Sequence, residues 1–135
     1  MMTLELAQRL ADAGLAWHPK PGDRFCIPNR DMDDDVFVLS DMTVEVHDLP
    51  SGRVIGFNGT TEWALDELSQ RDALWIPRES QLRELLADRF RRLEAFGEGF
   101  AVTITGPEPG DPDLREVDID PERAYARALL LVLER

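Results

Sequence analysis

Apolar and polar positions change rhythm along the chain, and each rhythm predicts an element. The run from Val36 to Leu68, VFVLSDMTVEVHDLPSGRVIGFNGTTEWALDEL, organises the rest. Val36 to Ser40 is apolar on both faces, which predicts a central strand covered on both sides. Thr43 to His47 alternates, with Val44 and Val46 on one side and Thr43, Glu45 and His47 on the other, as in a half-buried strand. Pro50, Ser51 and Gly52 supply a reversal, and Arg53 to Phe57 returns as a third strand. Separations this short allow only antiparallel neighbours, because a parallel pair needs a crossover of about a dozen residues. Asn58-Gly59 has two readings. It either turns a hairpin into a fourth strand over 60–65, or precedes a helix over 60–68 capped by Thr60 or Thr61. The missing alternation and the helix formers of Trp63 to Leu68 favour the helix.

Outside that run, Thr3 to Ala13 has helical spacing, with Leu6 and Leu10 one turn apart and Thr3 as cap. Gly14 and Leu15 predict a Schellman stop, Leu15 folding back on Leu10. Leu15 to His18 and Asp23 to Ile27, joined by Pro19-Lys20-Pro21-Gly22, predict a first hairpin that brings Trp17 near Phe25. Asn29 to Asp35 reads as a polar loop. Ala73 to Ile76 is a short extended segment ended by Pro77. Ser80 opens a long helix through Leu82, Leu85, Leu86, Phe90, Leu93 and Phe96, stopped by Gly97. Phe100 to Thr105 alternates as a strand, 106–112 is a proline- and glycine-rich loop, and Val117 and Ile119 suggest an edge strand. Asp120-Pro121-Glu122 starts a last helix, apolar over most of its girth at Ala128 to Leu133. That helix either sits deep against the sheet or shares its outer face with a second copy of the chain, a homodimer. Together these elements predict an α+β fold in a single domain, residues 1–135. Its sheet is curled and antiparallel, of about five or six strands, with helices mainly on one face.

Charge narrows the function more than length does. The net charge is −12, from 27 acidic and 15 basic residues among 135. Such a chain repels phosphate backbones, so nucleic acid is an unsuitable partner, whereas a basic protein is a fitting one. No segment is long and apolar enough for a membrane span, no secretory leader is visible at Met1 to Ala13, and the expected setting is cytoplasmic. The single cysteine, Cys26, excludes an internal disulfide and reads as a buried thiol in a strand.

The densest chemistry is acidic. Asp31, Asp33, Asp34 and Asp35 stand in one loop, with Asp41, Glu45, His47 and Asp48 following in sequence. Carboxylates so close repel one another unless they are solvated or neutralised. An EF-hand would place Asp31, Asp33 and Asp35 at positions one, three and five. It would also need glycine where Val36 stands and an acid where Met42 stands, so it fails. A solvated surface is the plain reading of the loop, and a basic partner or a weakly held divalent cation is the functional one. Ser40, Ser51, Ser69 and Ser80 lie in no nucleophile elbow. His47 beside Asp48 reads as the polar face of a strand before it reads as a base. Gly97-Glu98-Gly99 reaches Val102 where a dinucleotide loop needs glycine. Trp17, Trp63 and Trp75 read as core before ligand contacts. No catalytic residue, cofactor or resident metal is predicted. The alternative to an interaction module is an enzyme or small-ligand binder with scattered site residues between sheet and helices, such as Trp17, Asp41, His47 and Trp63.

The runs GDRFCIP (Gly22 to Pro28), Asp34 to Leu68 and LWIPRESQLRELL (Leu74 to Leu86) resemble a family of small uncharacterised bacterial proteins of the high-GC type. Some members carry the label pilus assembly protein CpaE. The resemblance implies no agreed activity and no site residues. The label implies a MinD-like ATPase, and the Walker motif that chemistry requires is absent from this sequence.

Overall fold

Thr3 opens the first helix, α1 (Leu4–Asp12), by accepting a 3.2 Å hydrogen bond from the Leu6 amide on its hydroxyl. The helix ends as its sequence predicts. Gly14, at φ 101°, donates to Ala11 O at 3.0 Å, and the Leu15 amide reaches back to Leu10 O at 3.0 Å. Those two bonds are the Schellman pair, and only glycine takes the left-handed backbone at the first of them without strain. The computed structural model describes residues 1–28, 36–39 and 73–134 in full, and 45–49, 52–56 and 67–69 as backbone strands. The chain divides into two compact units, Met1–Leu15 with Pro77–Arg135, and Ala16–Ile76.

In the first unit, the long helix expected over Ser80 to Phe96 is half helix and half strand. Helix α2 runs over Glu79–Leu86, followed by a 3-10 turn, Ala87–Arg89. Ala87 sits at φ 53° and ψ −130°, a backbone that α-helix cannot continue through. Phe90–Phe96 then forms β7, paired antiparallel with β8 (Gly99–Ile104), which pairs in turn with β9 (Leu114–Asp118). The misleading helical spacing has a local cause. A register shift between Phe90 and Arg92 puts an extra residue into β7, so Phe90 opposes Ile104 and Leu93 opposes Val102. Two residues three apart thereby share one face of a strand, as they would share one face of a helix. Gly97, expected as a helix stop, instead takes φ 58° at the first position of the β7–β8 reversal, as a II′ turn requires.

Helix α3 (Pro121–Leu133) covers this sheet along β8 and β9. Its Ala124, Tyr125, Ala126, Ala128, Leu129 and Leu130 are buried, and it packs on β8, β9, α1 and α2. The Tyr125 ring stacks on Phe90 at 5.7 Å between centroids, and the Arg83 guanidinium lies over the Phe90 ring, 4.5 Å from its centroid. Asp120, Pro121 and Glu122 start the helix as read from sequence, and β9 is the edge strand expected there.

The described strands of the second unit form two small sheets. In one, β1 (Arg24–Cys26) lies between β2 (Phe37–Val38) and β6 (Leu74–Trp75), both antiparallel. Trp17, Phe25, Ile27 and Leu39 form its core, with Phe37, Ala73 and Trp75 at the margin. Cys26 is fully buried. Two expectations change here. Residues 15–20 form no strand, although Trp17 does lie beside Phe25, at 5.7 Å between rings. The described part of the expected central strand, Val36 to Leu39, stands at a sheet edge among the described strands. Its β2 pairs with β1 alone among the described residues, and Val38 is 62 % exposed. The second sheet orders β3 (Glu45–Leu49), β4 (Gly52–Gly56) and β5 (Glu67–Ser69), with Val46 opposite Ile55 and Leu49 opposite Gly52. The predicted β3–β4 hairpin is therefore present. The alternatives for 60–66 lie outside the described residues, while Glu67–Ser69 is strand and not the end of a helix.

The fold is α+β, and its described strands form three three-stranded antiparallel sheets instead of one curled sheet of five or six. Brevity is the reason: β1, β2 and β6 span only two or three residues each. Helix α2 and the Ala87 backbone also separate β6 from β7 in sequence.

Candidate functional site

The first unit holds a groove at the corner where β9 turns into α3. Two aspartates build that corner. Asp118 Oδ1 accepts from the Asp120 amide at 3.0 Å, and Asp120 Oδ1 caps the helix by accepting from the Glu122 amide at 2.8 Å. Proline at the first helical position loses no bond there, because that amide has no partner inside the helix. Asp120 also meets the Met1 amino group, and the Met2 amide donates to Glu122 Oε1 at 2.8 Å, which ties the start of the chain to α3.

Arg123 and Arg127 lie one turn apart on α3, so both reach Asp118. Arg123 Nε donates to Asp118 Oδ1 at 2.8 Å, and Arg127 Nε donates to Oδ2 at 3.0 Å. Burial by itself pushes the Asp118 carboxyl up. The hydrogen bonds from both arginines and their charges outweigh it and hold the carboxyl below the usual value. The carboxylate side chain is 11 % exposed, against 28 % for Arg123 and 40 % for Arg127. Backbone proximity fixes this end of β9. A Cβ on Gly99 would meet Asp118 O and lie 2.9 Å from Ile119 Cα, so β8 approaches the corner only as glycine.

Helix α1 supplies the opposite wall. Arg9 projects toward the same groove, its Nη2 3.6 Å from Glu134 Oε1. Leu6 and Ile119 give an apolar lining, and the space amounts to about 450 Å³. Three guanidiniums from two helices thus converge on one concavity of a strongly acidic chain.

The residues singled out in the sequence stand elsewhere. Asp31, Asp33, Asp34, Asp35 and Asp41 lie outside the described residues, as does Trp63. Glu45 and His47 occupy β3, opposite Gly56 and Val54. Trp17 belongs to the aromatic core, where its indole N–H donates to Asp23 Oδ2 at 3.0 Å. Among the described residues, no group of three or more His, Cys, Asp or Glu is placed to hold a metal ion. Sequence reasoning passed over Arg9, Asp118, Arg123 and Arg127. The available signal was the spacing of Arg123 and Arg127 immediately after the Asp118 to Asp120 corner, which puts two guanidiniums over one carboxylate.

No family model, curated protein or solved structure matches the chain. Among the described residues, no helix is long and apolar enough to cross a membrane.

Proposed function

We propose that the protein is a non-catalytic interaction module of the cytoplasm, related to the small bacterial proteins its sequence resembles, that presents an acidic face to a basic protein partner. The face is Asp31, Asp33, Asp34 and Asp35, with Asp41, Glu45 and His47 beside them in sequence. The observation that supports it is the imbalance of charge, −12 over 135 residues. Several arginines are paired with the chain's own carboxylates: Arg123 and Arg127 with Asp118, Arg91 with Asp113 and Arg92 with Glu94. The acidic excess therefore dominates the field a partner meets.

Affinity capture tests this reading. Wild type is compared with Asp33→Ala/Asp34→Ala/Asp35→Ala and with a charge-matched control, Glu84→Ala/Glu98→Ala/Glu108→Ala, on exposed positions of the first unit. A basic protein enriched by wild type and by the control, and lost with the acidic-loop variant, supports the reading. Equal enrichment by all three, or no basic protein enriched, overturns it.

A second reading, a small-ligand binder, has one observation in its favour, the arginine groove at the β9–α3 corner. Self-association through Ala128 to Leu133 is a third. Ala128, Leu129 and Leu130 are already buried, so a second copy would have to use the half-buried Leu131 to Leu133. A molar mass that stays at that of a single chain in light scattering across concentrations would overturn it.

A further inference from the structure

We propose that the groove lined by Arg9, Arg123 and Arg127 binds a small organic anion, an oxyanion head (phosphate or carboxylate) carried on a short apolar body. The inference is independent of the acidic-face reading.

The geometry of the two α3 arginines is the starting point. Each gives Asp118 only its Nε–H, at 2.8 and 3.0 Å. Among the described residues their terminal Nη groups make no hydrogen bond. A guanidinium pairs with an oxyanion through two parallel N–H donors, and the edge formed by the two Nη groups is still available on both side chains. Asp118 meanwhile fixes the planes of both. Its two oxygens are each committed to one arginine, and its own position is set by the Asp120 amide and by the close approach of β8 at Gly99. Donors held in place before the ligand arrives lose less conformational freedom on binding, which is what makes arginine a good oxyanion clamp.

Arg9 completes the site from the α1 side. Its partner Glu134 stands 3.6 Å away, and both side chains are about half exposed, 47 % and 48 %. A pair that open contributes little, so an incoming anion can take Arg9 from Glu134 at small cost. Glu5 also lines the groove and sets a limit on the anion's charge: three guanidiniums face two lining carboxylates, Glu5 and Asp118. A singly or doubly charged head suits that balance, and a polyanion does not. The field of a chain at −12 excludes nucleic acid for the same reason.

The walls argue for more than a bare ion. Leu6 is buried in the groove floor, and Ile119 stands at its rim, 74 % exposed. About 450 Å³ is far more than inorganic phosphate fills and falls within the usual range for small-molecule sites. An apolar body lying between Leu6 and Ile119 would cover that isoleucine.

The test uses the full chain labelled with ¹⁵N. The arginine Nε–Hε resonances are followed during titration with phenyl phosphate, benzoate and inorganic phosphate, at an ionic strength held constant with chloride. The expected result is a saturable shift of the Arg123 and Arg127 signals with phenyl phosphate or benzoate, the stronger of the two identifying the head group. Inorganic phosphate should bind about tenfold more weakly. Arg9→Gln and Arg127→Gln should each weaken binding by about tenfold, the loss expected for one charge-assisted hydrogen bond. Arg9→Gln breaks only an exposed ion pair, so its melting temperature should match wild type and its binding loss cannot be ascribed to unfolding. Absence of a saturable shift with all three probes overturns the proposal, and so does unchanged affinity in both variants. Inorganic phosphate binding as tightly as phenyl phosphate overturns the apolar body. Each of these failures leaves the acidic-face reading standing.

Discussion

Asp118 and Arg127 meet through a 3.0 Å hydrogen bond from Nε to Oδ2, joining the end of an edge strand to the second turn of the last helix. The same carboxylate holds Arg123 at 2.8 Å. One acidic side chain thereby locks the β9–α3 corner and aims two guanidiniums.

That lock should show in the pH dependence of stability. The folded-state pKa of Asp118 lies below its ordinary value, so the carboxylate form is favoured by folding. Its contribution is complete above the unfolded value near 3.9 and is lost as pH falls through the lower folded value. Asp118→Ala should therefore cost about 2 kcal/mol at pH 7, the scale of a lost charge-assisted hydrogen bond, and progressively less below about pH 4. Urea midpoints of both proteins at pH 7 and in acid measure it, and a gap that persists at low pH contradicts the assignment.

In the second unit, Asp23 carries the turn that precedes β1. It is 1 % exposed, and one of its oxygens accepts from Trp17 Nε1 and from the Lys20 amide, both at 3.0 Å. Asp23→Ala leaves both donors without that acceptor and should destabilise by about 2–4 kcal/mol. Asp23→Asn keeps an acceptor oxygen and should cost less. Chemical denaturation followed by tryptophan fluorescence compares the two, and equal losses would show that the oxygen is not what matters.

Ala87 pays for the abrupt end of α2. At φ 53° and ψ −130° its Cβ is strained, a conformation worth about 1–3 kcal/mol in a residue other than glycine. Glycine removes that strain but gains freedom in the unfolded chain, by about 0.4–1 kcal/mol. Ala87→Gly should thus stabilise by about 1 kcal/mol, seen as a higher denaturation midpoint. A lower midpoint would mean that the backbone is not strained there.

The elements legible in sequence are those whose signals were local. Thr3 with Gly14 and Leu15 marks both ends of α1, Asp120 with Pro121 marks the start of α3, and the β3–β4 hairpin follows from alternation. The reading failed where one local signal serves two structures. Phe90 and Leu93 mimic a helical stripe because a bulge restores their facing across β7, although Phe96 lies on the opposite face, and Gly97 suits a hairpin as well as a helix stop. Val36 to Ser40 is apolar on both faces and so predicts a central strand, but centrality depends on which strands pair, and Leu74–Trp75, the other neighbour of β1, lies distant in sequence. The arginine groove was hidden for the same reason. Arg9 is more than a hundred residues from Arg123, and only the packing of α1 on α3 brings them together.

The central claim is that the acidic residues at 31–35 recognise a basic protein, and affinity measured by calorimetry tests it most directly. The captured partner, purified, is titrated against wild type, Asp33→Ala/Asp34→Ala/Asp35→Ala and the Glu84, Glu98 and Glu108 control at two salt concentrations. The account predicts at least about a tenfold loss for the acidic-loop variant, little change for the control, and weaker binding at the higher salt as screening shortens the reach of the charges. Equal affinity for all three proteins, or binding indifferent to salt, would contradict it.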